Sequence, residues 1–177
     1  MKDKTIFLIV GETGSGKDSV VNALNMKKVI SYTTRPKREG ETNGVEHYFV
    51  SNKEMDKIEK QSNIFAWTKT GDIRYCATDK EVETSKIYII NPDGIRWCKE
   101  NYKGNIKTIV IGITAPLKTR MERCKNRSDF STAFKKRVAA EEEDYKKFKE
   151  NTNFDYLINN VDLEKTIEVV KKIISLY

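Results

Sequence analysis

Apolar residues in this chain gather into short runs separated by longer polar and mixed stretches. Thr5–Val10, Ile87–Ile90 and Thr108–Ile113 are β-branched and aromatic runs without period-2 polarity, and Tyr156–Ile158 is a shorter run of the same kind. Such runs suit parallel strands buried on both faces. Helical patterns lie between them. Lys17–Leu24 follows the first run, and Asp93–Glu100 follows the second with Pro92 and Asp93 as start signals. Pro116–Cys124 follows the third, with Thr114 placed to cap it. Near the end, Leu163, Ile167, Val170 and Ile174 fall on one helical stripe behind Asp162, which can serve as N-cap. Strands alternating with helices predict an α/β fold, a parallel sheet flanked by helices.

Two stretches break the alternation. Thr33–Thr78 carries turn chemistry, an Asn43–Gly44 step and short aromatic runs around Tyr48 and Ile64, which predicts a small β-rich insert. Lys125–Ser131 is polar and sits between two helical patterns, so a mobile lid over about residues 125–134 is expected. A chain of 177 residues holds one domain of ordinary size, here a core of 1–32 and 79–177 around the insert 33–78.

Composition narrows the picture. No window approaches the ~18 consecutive apolar residues of a membrane span, and the basic, apolar N-terminus lacks a cleavage site, so it reads as a core strand. With 33 Lys+Arg against 26 Asp+Glu the formal charge is +7. Lysines of that number keep a surface soluble, whereas arginines gather where small polyanions bind. Charge alone also suggests nucleic acid, but no nucleic-acid partner is expected. Cys76, Cys98 and Cys124 have neither metal-ligand spacing nor the even number of a disulfide framework, which points to free thiols in a reducing cytoplasm.

The strongest chemical signal is GETGSGKDS, Gly11–Ser19. Gly11, Gly16 and Lys17 fit the glycine-rich phosphate loop, in which backbone N–H groups surround a β-phosphate and the lysine reaches the β/γ oxygens. The loop follows an apolar run and opens a helical one, as a P-loop NTPase fold requires. Gly11, Glu12, Thr13, Gly14, Ser15, Gly16, Lys17, Asp18 and Ser19 are therefore candidate ATP contacts. After the lysine this motif normally has Ser or Thr as a Mg²⁺ ligand. Here Asp18 and then Ser19 stand there, and both are candidate metal ligands, since magnesium prefers hard oxygen donors.

The second signal is SYTTRPKREGETNGVEHYFVS, Ser31–Ser51. Arg35 and Arg38 stand three residues apart beside hydroxyls, a spacing that lets two guanidinium forks converge on one dianionic phosphate. Together with the phosphate loop, this stretch resembles the guanylate kinase signature, Ser-x-x-x-Arg-x-x-Arg before a Gly-Glu turn and an aromatic run. The resemblance implies that Arg35 and Arg38 hold an acceptor phosphate with Ser31 close to the base. It also implies a tyrosine three residues after the glycine. His47 occupies that spacing and Tyr48 the next place; either can donate, and Tyr48 is taken as the contact.

Similarity continues through IFAWTKTGDIRYCAT, Ile64–Thr78. Tyr75 matches an acceptor-site tyrosine, while Ala66 stands where the family has a guanine-pairing glutamate, and Cys76 and Ala77 replace Gly and Ser. Ile89 and Asn91 stand in place of two aspartates, with Asn91 expected to face the acceptor. Arg127 and Arg137 flank the lid stretch and resemble catalytic arginines. Arg120 and Arg123 compete for that role, and a helix pair with Glu141 is a rival use of Arg137. Asn160 resembles an asparagine beside the adenine.

The activity so implied is transfer of the γ-phosphoryl of ATP, with Mg²⁺, to a nucleoside monophosphate, most directly GMP or dGMP, by a monomer or homodimer. Rivals are a ribose 1,5-bisphosphate kinase, which shares the GKDS step, a deoxynucleoside monophosphate kinase of broader range, and a non-catalytic binding module of the same fold.

Overall fold

The computed structural model describes residues 4–125, 133–150 and 154–177. β1 (Thr5–Val10) leads into α1 (Lys17–Leu24), both with the bounds the apolar pattern predicts. Every residue of β1 is buried, as a strand without polar alternation requires. Next come β2 (Tyr32–Thr33), β3 (Tyr48–Phe49), α2 (Asn52–Gln61), β4 (Ile64–Thr70), β5 (Ile73–Thr78) and α3 (Asp79–Glu83). The remainder runs β6 (Ile87–Ile89), α4 (Pro92–Asn101), β7 (Lys107–Thr114), α5 (Leu117–Cys124), α6 (Ala133–Glu150), β8 (Tyr156–Asn159) and α7 (Leu163–Ser175). One four-stranded sheet has the order β6-β1-β7-β8, with β8 parallel to β7 and Tyr156 opposite Ile111. This is the α/β sheet that the alternation predicts.

The chain packs as two compact units, Met1–Ile6 with Lys27–Lys107, and Phe7–Met26 with Thr108–Tyr177. The first contains the β-rich insert, whose sheet has the order β3-β2-β5-β4. The same unit also holds β6 and α4, where the Val29 N–H bonds the Ile87 carbonyl (2.8 Å) and α4 packs on β4. Its core holds Met55, Phe65, Ile87 and Ile95, all fully buried. The insert also contains a helix that the aromatic runs do not announce. α2 begins at a capping box in which the Ser51 hydroxyl accepts the Glu54 N–H and Glu54 accepts the Ser51 N–H. The Asn43–Gly44 step makes a local turn, with the Gly44 N–H on the His47 carbonyl (2.8 Å), and not a hairpin, since β3 pairs in parallel with β2.

In the second unit α1 and α7 pack together, over a core that includes Val20, Ile111, Ile113 and Phe148. Asp162 caps α7 as predicted, accepting the Lys165 N–H at 3.1 Å. The buried face includes Val170 as predicted, with Ile167 and Ile174 half-buried, but it also takes in Thr166 and Ile173, while Leu163 is 38% exposed. Thr166 can lie there because its hydroxyl donates to the Asp162 carbonyl (2.8 Å). Thr114 does not cap α5; it ends β7, and its hydroxyl donates to Glu12 Oε2 (3.3 Å).

Candidate functional site

Between β1 and α1 the backbone bends through residues 11–16 into the start of the helix. Gly11 passes so close to the Ile113 carbonyl that a side chain has no room. Gly16 adopts φ +88°, and a Cβ there would lie 2.5 Å from Asn160 Nδ2. The loop's carbonyls are drawn to one side. Arg120 donates to the Thr13 carbonyl (3.3 Å), and Arg123 (3.2 Å) and Asn160 (2.8 Å) both donate to that of Ser15. In a trans peptide the N–H points opposite its carbonyl, so these bonds turn the Gly14 and Gly16 N–H groups the other way. The N–H groups of Lys17, Asp18 and Ser19 open the helix, where no intrahelical acceptor exists, since the first such bond runs from Val20 to Gly16 (3.0 Å). A row of donors at a helix N-terminus is an anion cradle. A cavity of about 410 Å³ adjoins it, lined by Gly14, Gly16, Asp18, Ser19, Arg123 and Leu163 among others.

Lys17 Nζ stands 3.5 Å from Asp18 Oδ2, and the Asp18 side chain is 71% exposed. Asn160 is fully buried behind the loop, where its amide holds the Ser15 carbonyl and leaves no room for a side chain at Gly16. Arg120 and Arg123, weighed as lid arginines, are engaged by loop carbonyls instead. Helix α6 adds a second set of holds through Glu141, Tyr145 and Lys149. Arg137 lies in α6 one turn before Glu141, and its side chain, like the whole of Arg127 and most of the predicted lid, is outside the described residues.

In the other unit, strand register decides which side chains meet. Thr33 pairs with Phe49 and Tyr75, Tyr75 with Thr68, and Ala77 with Ala66, so these residues share one face of the small sheet. Tyr32, Tyr48, Cys76 and Trp67 share the other. Ser31 and His47 have the parity of the first face, and they meet there: Ser31 Oγ lies 3.0 Å from His47 Nδ1, and the His47 and Tyr75 rings are 5.7 Å apart, edge to face. Tyr48 does not join them. It points to the opposite face and stacks on Tyr32 at 5.0 Å. Burial, followed by the charge of Arg35, pushes the half-buried His47 imidazole below its ordinary value, favouring the neutral ring.

Arg35 is almost buried and grips the Glu41 carboxylate with both arms, NH1 to Oε2 at 2.9 Å and NH2 to Oε1 at 2.8 Å. The exposed Arg38 gives the same carboxylate its backbone N–H (2.8 Å). The bond from Arg35 holds Glu41 down at about 2. The Glu41 carboxylate is thus held by one guanidinium fork and one backbone N–H, a donor set that suits an oxyanion. Asn91 lies at the exposed N-cap of α4, where its amide oxygen accepts the Gly94 N–H (2.9 Å). Ala66 and Ala77 put two buried methyl groups on the Ser31 and His47 face, where the resemblance implies polar base readers.

Residues 2–177 match the family model described as Guanylate kinase. The chain belongs to the guanylate kinase family. The guanylate kinase of Rickettsia bellii is 30% identical over 98% of this chain and 95% of that protein. That of Mycoplasma genitalium is 28% identical over 96% of this chain and 74% of that protein. A crystal structure of guanylate kinase from Anaplasma phagocytophilum shares the fold, with a TM-score of 0.66 and 23% identity over 99% of this chain and 87% of that one. In this guanylate kinase family member the loop of residues 11–16 belongs to one unit and the Arg35–Glu41 pair to the other. Sequence reasoning passed over Glu41, Tyr145 and Lys149. The i, i+4, i+8 spacing of Glu141, Tyr145 and Lys149 was the signal available for the helix, and the alternation around Tyr48 was the signal for His47.

Proposed function

We propose that this protein transfers the γ-phosphoryl of ATP to the phosphate of GMP or dGMP. The observation that carries the reading is a pair of anion sites of different make in one chain: the N–H cradle with Lys17, and the Arg35 clamp that holds a carboxylate. An acceptor phosphate oxygen attacks the γ-phosphorus, the bond to the β–γ bridging oxygen breaks, and ADP leaves. That oxygen is already anionic near neutral pH, so no general base is needed. Catalysis therefore rests on positioning and charge neutralisation. Lys17 and the cradle hold the triphosphate; Arg35 and Arg38 hold the acceptor phosphate with Ser31, His47 and Tyr75 beside it; Arg137 and Arg127 supply positive charge to the transferring group.

Asp18 and Ser19 offer hard oxygen donors at the mouth of the cradle. Among the described residues no group of three or more His, Cys, Asp and Glu gathers as a metal cage. So sparse a set suits Mg²⁺, which keeps its waters and takes phosphate oxygens, and when bound it would offset phosphate charge. Among the described residues no helix is long and apolar enough to cross a membrane, and Cys76, Cys98 and Cys124 are buried free thiols. We place the protein in the cytoplasm as a monomer or homodimer.

A coupled assay of ADP formation over GMP, dGMP, the other nucleoside monophosphates and ribose 1,5-bisphosphate tests the reading. GMP or dGMP is expected to stimulate turnover most, and Lys17→Ala to lower kcat by about 10²- to 10³-fold, the scale of losing one preorganised donor to a transferring group. Stimulation by no acceptor would overturn the reading, and a preference for ribose 1,5-bisphosphate would favour that rival.

A further inference from the structure

Three side chains spaced one turn apart on α6 take hold of three consecutive residues of the phosphate loop. The Tyr145 hydroxyl donates to the Gly11 carbonyl (2.8 Å), Lys149 pairs with Glu12 (2.5 Å), and Glu141 accepts both the N–H (2.8 Å) and the hydroxyl (2.6 Å) of Thr13. We propose that Glu141 is a positioning residue for ATP, fixing the first half of the phosphate loop from behind. The inference rests on the kinase reading only for the identity of the triphosphate.

Thr13 is the point where the two halves of the loop meet. Its N–H and hydroxyl are held by Glu141 and its carbonyl by Arg120, so the peptides on both sides of its Cα are fixed. The second of these peptides carries the Gly14 N–H, one of the donors turned toward the cradle. Packing cannot do this work alone. A cavity of about 330 Å³ lies against this part of the loop, lined by Glu12, Arg120, Glu141, Tyr145 and Lys149 among others. Where space is left behind a loop, its orientation depends on its directed bonds, and Thr13 is only 8% exposed, so water is a poor substitute acceptor. Each oxygen of the Glu141 carboxylate serves Thr13, a use that the helix spacing to Arg137 does not announce.

The test is Glu141→Gln. Glutamine keeps one oxygen for the Thr13 N–H, but its NH₂ can only donate, so the Thr13 hydroxyl must turn from donor to acceptor and both bonds lose the carboxylate's charge. Calorimetric titration with ATP and Mg²⁺, without acceptor, should show a Kd raised about tenfold, the scale of one charge-assisted hydrogen bond. KM for ATP should rise in step while KM for GMP stays within about twofold, a split that general loosening of the fold does not give. Thr13→Val, which removes one donor, should weaken ATP about threefold, and the double variant should be no worse than Glu141→Gln alone, because both changes strike one contact. An unchanged ATP Kd in Glu141→Gln, or equal losses for ATP and GMP, overturns the inference. If Glu141→Gln does not fold, Thr13→Val carries the test, and an unchanged Kd there overturns it. A wild type that binds ATP but phosphorylates no acceptor sinks the kinase reading and leaves this inference to the binding data.

Discussion

One step along the backbone separates His47 from Tyr48, and the pleat sends them to opposite faces of the small sheet. His47 meets Ser31 and Tyr75, whereas Tyr48 stacks on Tyr32. His47→Ala is therefore expected to raise KM for GMP about tenfold, as loss of one hydrogen-bonding group does. Tyr48→Phe should leave it unchanged, and steady-state kinetics at fixed ATP checks both. The two titrating groups of this site also give pH signs. His47 is held below its ordinary value of 6.5 in the fold, so the unfolded chain takes up its proton first. The stability this contributes is complete above pH 6.5 and declines as pH falls below it. Glu41 shifts from 4.5 to about 2, so its contribution is complete above pH 4.5 and is lost as pH falls through about 2. Urea midpoints between pH 8 and pH 3 should fall in two stages, and His47→Gln should remove the first.

At the scale of elements, the sequence was most readable where one local rule had no competitor. β1 and α1 appear with the predicted bounds because a run of buried β-branched residues, a glycine turn and a helix start admit no other arrangement. The α7 stripe was read only in part because periodicity counts apolar residues, while Thr166 enters the core by satisfying its hydroxyl on its own helix. α2 was overlooked because Met55 is its single buried residue, although Ser51 and Glu54 spell its capping box. Ser51→Ala should cost about 1 kcal/mol, measured by denaturant titration. The motif named the candidate acceptor residues but not the faces they take, since β2 and β3 are two residues long and their register depends on partners far along the chain. The hold of α6 on the loop was hidden for the same reason: Glu141 and Thr13 are 128 positions apart.

For the molecule as a whole, each unit has its own core and its own share of the chemistry. Phe65 lies at the centre of one core, fully buried with Tyr102 at 4.9 Å, and Phe65→Ala should cost about 3–5 kcal/mol in a urea titration. The surface charge of +7 draws in phosphates of every sort, so attraction alone cannot select among them. In the proposed acceptor site, selection falls to the residue already seated on Arg35. Because Glu41 occupies both arms of that guanidinium, any newcomer must offer more than the incumbent it evicts. In the proposed acceptor role of Arg35, chloride and other singly charged bystanders would gain little by the exchange, whereas a dianionic ester with three oxygens would, and the clamp would screen its visitors before any base is read.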